Sequence, residues 1–309
     1  MSERTDAAAV GPRYRSRRRR YSGWDAGFHI FNYLIIGLIA FLCIFPFVNT
    51  IANAFSSSHA IQSGKVTLWP VDFQLDAMKS VFWDDNVIRS MFVTIYVTVV
   101  GTAINMALTI LTAYPLSRRD LAGRKYFMNY MIFTMMFGGG LIPSYLLNKE
   151  LGLLNTLWAI MIPGAISAFN VIIMKSFFQN MPEELRDAAL MDGCGNIRYL
   201  ARIVLPLSGA VMATIGLFYA VGHWNSYMGA VIMIDDPDLY TLQVRLRNIL
   251  LLSQMDTSLE VMQQQGKLQV IEESLKAATA VFATAPILVV YPFLQKYFVK
   301  GSFLGSVKG

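Results

Sequence analysis

The 309-residue chain is 55% hydrophobic but only 15% charged, and its mean hydropathy is +0.45. Soluble domains carry about 25% charged residues, so an ordinary soluble domain is excluded. The net charge of +6 follows the apolar runs rather than one basic face, which argues against a nucleic-acid partner.

The chain opens on a basic tail, residues 1–26, containing GPRYRSRRRRY. An apolar run follows at about 28–55. It is too long for the apolar core of a secretory signal and no A-x-A site follows it, so it reads as an uncleaved anchor. Further runs lie at about 88–116, 126–147, 154–176, 206–234 and 277–298. Each is long enough to cross about 30 Å of hydrocarbon at 1.5 Å per residue. Residues 27–309 therefore predict an all-α, polytopic membrane domain of six transmembrane helices. With the N-terminus inside, the inward segments hold most of the 26 Lys and Arg residues, so both termini are expected in the cytoplasm.

Two outward segments remain, Ser56 to Val87 and Asp235 to Lys276. Their amphipathic stretches, such as LQVRLRNILLLSQ from Leu242, predict short helices on the outer surface or capping a pore. In the third run, Gly138-Gly139-Gly140 ahead of Pro143 predicts a weak point. It serves either as a hinge or path lining, or as close helix packing through small residues. In the outer half of the fifth run, Trp224-Asn225-Ser226-Tyr227 sets aromatic faces beside an amide and hydroxyls. That combination suits a sugar ring, and it equally suits an interfacial aromatic belt.

The middle of every run lacks Asp, Glu, Lys and Arg, which counts against a proton-driven carrier. His29, His59 and His223 lie far apart, and neither H-E-x-x-H, G-x-S-x-G nor a Walker A loop occurs. Cys43 and Cys194 form neither a disulfide framework nor a metal-spaced pair. The residues offer no catalytic constellation, metal site or cofactor site. Uphill transport would need energy from another polypeptide.

The connector after the fourth run, MPEELRDAALMDGCGNIRYLARIVLPL from Met181, is patterned. Asn180 is expected to cap a helix with Pro182 in its first turn and Glu183 at capping-box spacing. That helix should run through Leu190 or Met191 and end at Asp192-Gly193, with Gly195 a further break. A second helix, Ile197 to Val204, should lead to Leu205-Pro206 and the fifth run. Leu185, Ala188, Ala189 and Asp192 share a helical face of mostly small residues that lets another protein approach closely. A helix resting on the bilayer is the alternative, although such a helix would more usefully present Leu or Phe.

This connector resembles the EAA loop of binding-protein-dependent ABC importer permeases, whose pattern is E-A-A, three residues, Gly, nine residues, then I-x-L-P. Here it reads Asp187-Ala188-Ala189, three residues, Gly193, nine residues, then Ile203-Val204-Leu205-Pro206, with Asp in place of the first Glu. From about residue 85 onward the chain is similar to the carbohydrate branch, the MalG type and most of all the LplC-like group for polysaccharide fragments. MMFGGGLIPSYLL, LGLLNTLWAIMIPGAISAFNVIIMKSFF and FYAVGHWNSY carry that likeness.

The resemblance implies a type I ABC importer permease fold in a bacterial cytoplasmic membrane, with its core at about 85–298 and a coupling loop at about 180–206. It implies a heterodimer with a homologous permease, two ATPase subunits that hold the ATP and Mg, an extracytoplasmic solute-binding lipoprotein and an oligosaccharide substrate. The implied ATPase-coupling residues are Glu184, Asp187, Ala188, Ala189, Asp192, Gly193, Ile203, Leu205 and Pro206. Gly138, Gly139, Gly140, Trp224, Asn225 and Tyr227 are the candidates for the substrate path. The rival reading is a carrier or channel that works without an ATPase, which would account for the spans but not for the loop.

Overall fold

The computed structural model describes residues 23–255 and 269–306, and every regular element among them is helical. The chain clusters into two units, Met1–Val48 and Asn49–Gly309. The described part of the first is the helix α1 (Gly23–Ala54) as far as Val48. In the segment Ser56 to Val87 lie the short helices α2 (Ser58–Gln62) and α3 (Asp76–Phe82), helices that the sequence predicts there.

The central element is α4 (Asp85–Ser117), about 50 Å long. Asp84 starts it by accepting a hydrogen bond from the Asn86 amide at 2.9 Å. Its buried residues recur at helical spacing through Ser90, Thr94, Val97, Gly101, Asn105, Thr109 and Ala113. Small and hydroxyl side chains in one stripe let neighbouring backbones approach and find hydrogen bonds, which is how helices associate without a hydrophobic driving force.

After α4 come α5 (Arg124–Met136), α6 (Leu141–Glu150), α7 (Trp158–Met161), α8 (Ala168–Gln179) and α9 (Glu183–Met191). A single helical stretch, Asn196–Leu207, then holds α10 (Asn196–Tyr199), a π-type turn (Leu200–Val204) and α11 (Leu205–Leu207). The last elements are α12 (Gly209–Trp224), α13 (Met228–Met233), α14 (Leu242–Met255) and α15 (Gln269–Ser306). Of the segment Asp235 to Lys276, in which short helices are expected, residues 256–268 lie outside the described residues.

The spans are less continuous than the hydropathy suggests. Among the described residues three helices are long and apolar enough to cross a membrane alone: Gly27–Ala54, Asp85–Ser117 and Glu273–Val290. The third expected span is broken at the glycines, where α5 and α6 meet at 115°. Gly140 takes φ +83 there, and Cβ atoms built on Gly138 and Gly140 would touch nothing, so within this chain the glycines serve bending rather than close packing. The fourth expected span divides into α7 and α8 around Gly164 at φ +74. The fifth turns by 84° at Ser208 and stops again at Trp224.

Candidate functional site

The connector folds by rules local to its own sequence. Asn180 does not cap α9 as expected. It closes α8, its amide donating to Ser176 and Phe177, and Pro182 takes the position before α9 with no side-chain cap. Glu183 and Glu184 occupy the first turn, where carboxylates suit the helix dipole. At the other end Gly193 has φ +72, its amide donates to Leu190 and the Cys194 amide donates to Ala189. These two bonds define a Schellman motif, which needs a left-handed residue at that position.

The two alanines face different ways. Ala189 is the one buried residue of α9 and joins an apolar cluster with Phe178, Tyr199 and Val204. Ala188 is exposed, on a face shared with Glu184, Asp187 and Met191. Successive helical residues point about 100° apart, and here Ala189 faces the body of the chain while Ala188 faces away from it. The small Ala189 side chain lets α9 lie close to that body. Asp192 and Gly193 stay at the exposed tip. Met191 (90% exposed) and Ile197 (84%) stand beside them as large apolar side chains without cover.

Ile203 and Leu205 are half-buried against the same apolar cluster, so their place is structural. Pro206 lacks the N–H that would continue the ladder. The π-type turn precedes it and the 84° bend follows at Ser208, whose hydroxyl donates to Val204 at 2.6 Å. The I-x-L-P pattern thus marks where the surface helix turns into a span.

Charged groups tie this loop to the C-terminal end of α4. Arg186 on α9 donates to Asp120 Oδ2 at 3.2 Å, and Arg118 Nε lies 3.7 Å from Asp120 Oδ1. Arg118 also reaches Asn196 Oδ1 at 3.2 Å, and Arg124 reaches the Leu116 carbonyl and Gln179. A cavity of about 340 Å3 opens here, lined by Arg118, Asp120, Gln179, Arg186 and Tyr199 among others. The Asp120 carboxyl is held below its ordinary range by its own backbone amide and by Arg186.

The second candidate region lies deeper. Gly101 stands at the centre of α4, with about 24 Å of helix on either side. His223 lies directly on it, since a Cβ at Gly101 would come within 2.6 Å of His223 Nε2. His223 Nε2 is 3.1 Å from Asn105 Nδ2, and one turn further along α4 Thr109 and Tyr219 share a hydrogen bond of 2.7 Å. The Tyr219 hydroxyl also accepts from the Ser167 amide at the start of α8. So α12 ends beside the middle of α4.

Trp224 is buried in an apolar cluster with Val81, Leu242 and Phe282, its indole N–H unpartnered among the described residues. The ring is thus not displayed as either an interfacial belt or an open face for a sugar would need. Asn225 is exposed and its amide donates back to the Val221 carbonyl at 3.0 Å. Tyr227 is half-buried under Arg247, whose guanidinium carbon lies 5.4 Å from the ring centre. Interrupted backbone at membrane depth persists only where protein or a water-filled cavity surrounds it.

A family model described as "Binding-protein-dependent transport system inner membrane component" matches residues 77–302. The chain belongs to this family. The inner membrane component is 45% identical to the polygalacturonan/rhamnogalacturonan transport system permease protein YtcP of Bacillus subtilis, over 91% of this chain and 99% of that protein. It is also 45% identical to Protein LplC of the same organism, over 91% and 95%. A crystal structure of a bacterial ABC transporter involved in the import of the acidic polysaccharide alginate contains a chain that superposes with TM-score 0.83. Identity there is 32%, covering 90% of this chain and 99% of that one. The inner membrane component is therefore membrane-embedded and has an ABC importer permease fold.

Three features of this inner membrane component lie beyond the sequence reading. Met191 and Ile197 could have been flagged as large apolar residues in a polar loop. Gly101 shows in sequence only as the small member of the α4 stripe. Asp120 gives no sequence signal, because its hydrogen-bond partner Arg186 comes from a distant segment.

Proposed function

We propose that this chain is the permease subunit of an ATP-driven importer for an oligosaccharide or polysaccharide fragment, of acidic character. The observation that carries the reading is α9: a short helix held at one face, with Met191 uncovered at its end and Ile197 uncovered on the following α10, in an inner membrane component of a binding-protein-dependent system. Such a surface fits a separate ATPase, which holds the ATP and Mg while this chain contributes no catalytic group.

The complete transporter is a heterodimer with a homologous permease, two ATPase subunits and an extracytoplasmic solute-binding lipoprotein, in a bacterial cytoplasmic membrane with both termini inside. Nucleotide-driven closure of the ATPases moves the loop of residues 180–206 and switches the cavity between inward and outward opening. The elbow at Gly138, Gly139 and Gly140 and the break at Asn225 border the path. Trp224 acts by placing that break, and Tyr227 together with Arg247 flanks it. An acidic substrate is favoured by the names of the similar proteins, which include polygalacturonan and alginate.

The test is uptake in proteoliposomes holding all subunits, with a panel of acidic and neutral oligosaccharides. Uptake of an acidic member that requires ATP and the binding protein is the expected result. Uptake by this chain alone, without ATP, would establish the rival carrier instead.

A further inference from the structure

Among the described residues, α9 has one buried side chain and one side-chain polar tie to the rest of the chain. Ala189 is the buried residue, and Arg186 makes the tie, to Asp120 at 3.2 Å. Arg186 and Ala189 are three residues apart and so share the inward face, opposite Glu184, Asp187, Ala188 and Met191. Asp120 is set three residues past the end of α4, in the turn before α5.

Asp120 does not act alone. Arg118 closes α4, its amide donating to the Pro115 carbonyl at 3.0 Å. Its guanidinium faces Asp120 at 3.7 Å and Asn196 at 3.2 Å, and lies over the Tyr114 ring at 5.6 Å. The Tyr114 hydroxyl in turn donates to the Asn196 carbonyl at 3.4 Å. The C-terminal end of α4 thus grips both helices of the connector, α9 through Asp120 and α10 through Asn196. Because α4 also carries the His223 and Tyr219 contacts to α12, the grip continues to the break at Asn225.

We propose that Asp120 is a positioning residue that makes α9 and the C-terminal end of α4 move as one body. A push on the exposed face of α9 then reaches α4 through the Arg186–Asp120–Arg118 bridge instead of being lost in a tilt about Ala189. Packing at Ala189 alone leaves a helix free to rock, since a methyl group fixes separation but not direction. The ion pairs supply the direction, and their small individual strength does not matter for that role. The inference rests on the proposed coupling of this chain to an ATPase.

The experiment uses the complete transporter in proteoliposomes and reads sugar taken up per ATP hydrolysed. Asp120→Asn and Arg186→Gln should each assemble normally, since an exposed ion pair adds little stability, and lower that ratio about twofold or more. Asp120→Glu, which keeps a carboxylate between Arg186 and Arg118, should retain most of it. An unchanged ratio in both single variants, with wild-type coupling intact, overturns the joint but not the importer. Failed assembly in both, with Asp120→Glu failing as well, assigns the residues to folding and also overturns it. A wild-type complex that transports without hydrolysing ATP would instead refute the reading on which the joint rests.

Discussion

Gly193 and Gly101 are both glycine, for unrelated reasons. At Gly193 a side chain has open space but an unfavourable backbone, so Gly193→Ala should cost about 1–2 kcal/mol through φ alone. Hydrogen exchange should show the Cys194 amide losing protection as the Schellman bond to Ala189 weakens. At Gly101 the backbone is ordinary α-helix and the neighbour is the obstacle. Gly101→Ala must displace an imidazole already bonded to Asn105, so the yield of folded chain should fall. Wild-type yield and melting temperature would show that α4 and α12 do not approach this closely. The Asp120 carboxyl has a depressed pKa, so its contribution is present above the ordinary value of 3.8 and is lost only as pH falls through the lowered value. Uptake per ATP should therefore stay flat on mild acidification. A decline well above that ordinary value would mean another group governs coupling.

At the scale of elements, the connector was legible in the sequence wherever the rule was local. The stop at Gly193 and the helix through Met191 follow from residues within one or two turns of themselves. The start differs from the expectation because α8 runs beyond its apolar stretch to Gln179, and Asn180 ends that helix before it can begin the next. Whether an alanine faces in or out depends on tertiary packing, which the E-A-A pattern does not encode. The two positions therefore give opposite predictions. Ala189→Lys would bury a charge among Phe178, Tyr199 and Val204, so this chain should itself fold poorly. Ala188→Lys, Met191→Asp and Ile197→Asp should fold normally and lose the ATPase instead. Covering Met191 alone is worth about 1.5–3 kcal/mol, so recovery of the ATPase with this chain should drop about tenfold or more. Full recovery with all three variants would place the docking surface elsewhere.

Across the whole molecule, hydropathy identifies where apolar chain lies but not where it stays helical. Six runs are visible in the sequence, and the helices inside them are interrupted around Gly140, Gly164 and Ser208 and after Trp224, because backbone geometry there outweighs the apolar average. The break after Trp224 is the one that bears on transport. It lies beside the middle of α4, with Trp224 packed inward and Asn225 facing out of the chain, so Asn225 should border water in the assembled transporter. In a variant with Cys43→Ser and Cys194→Ala, Asn225→Cys should react with a charged, membrane-impermeant thiol reagent. Its rate should differ between the resting complex and one held with nucleotide on the ATPases, because the cavity opens to opposite sides in the two states. Phe92→Cys, exposed on α4, is the control for a position facing lipid or a partner, and should stay unreactive in both. Equal reactivity at Asn225→Cys in both states, or none in either, would remove this break from the path and leave Trp224 as packing alone.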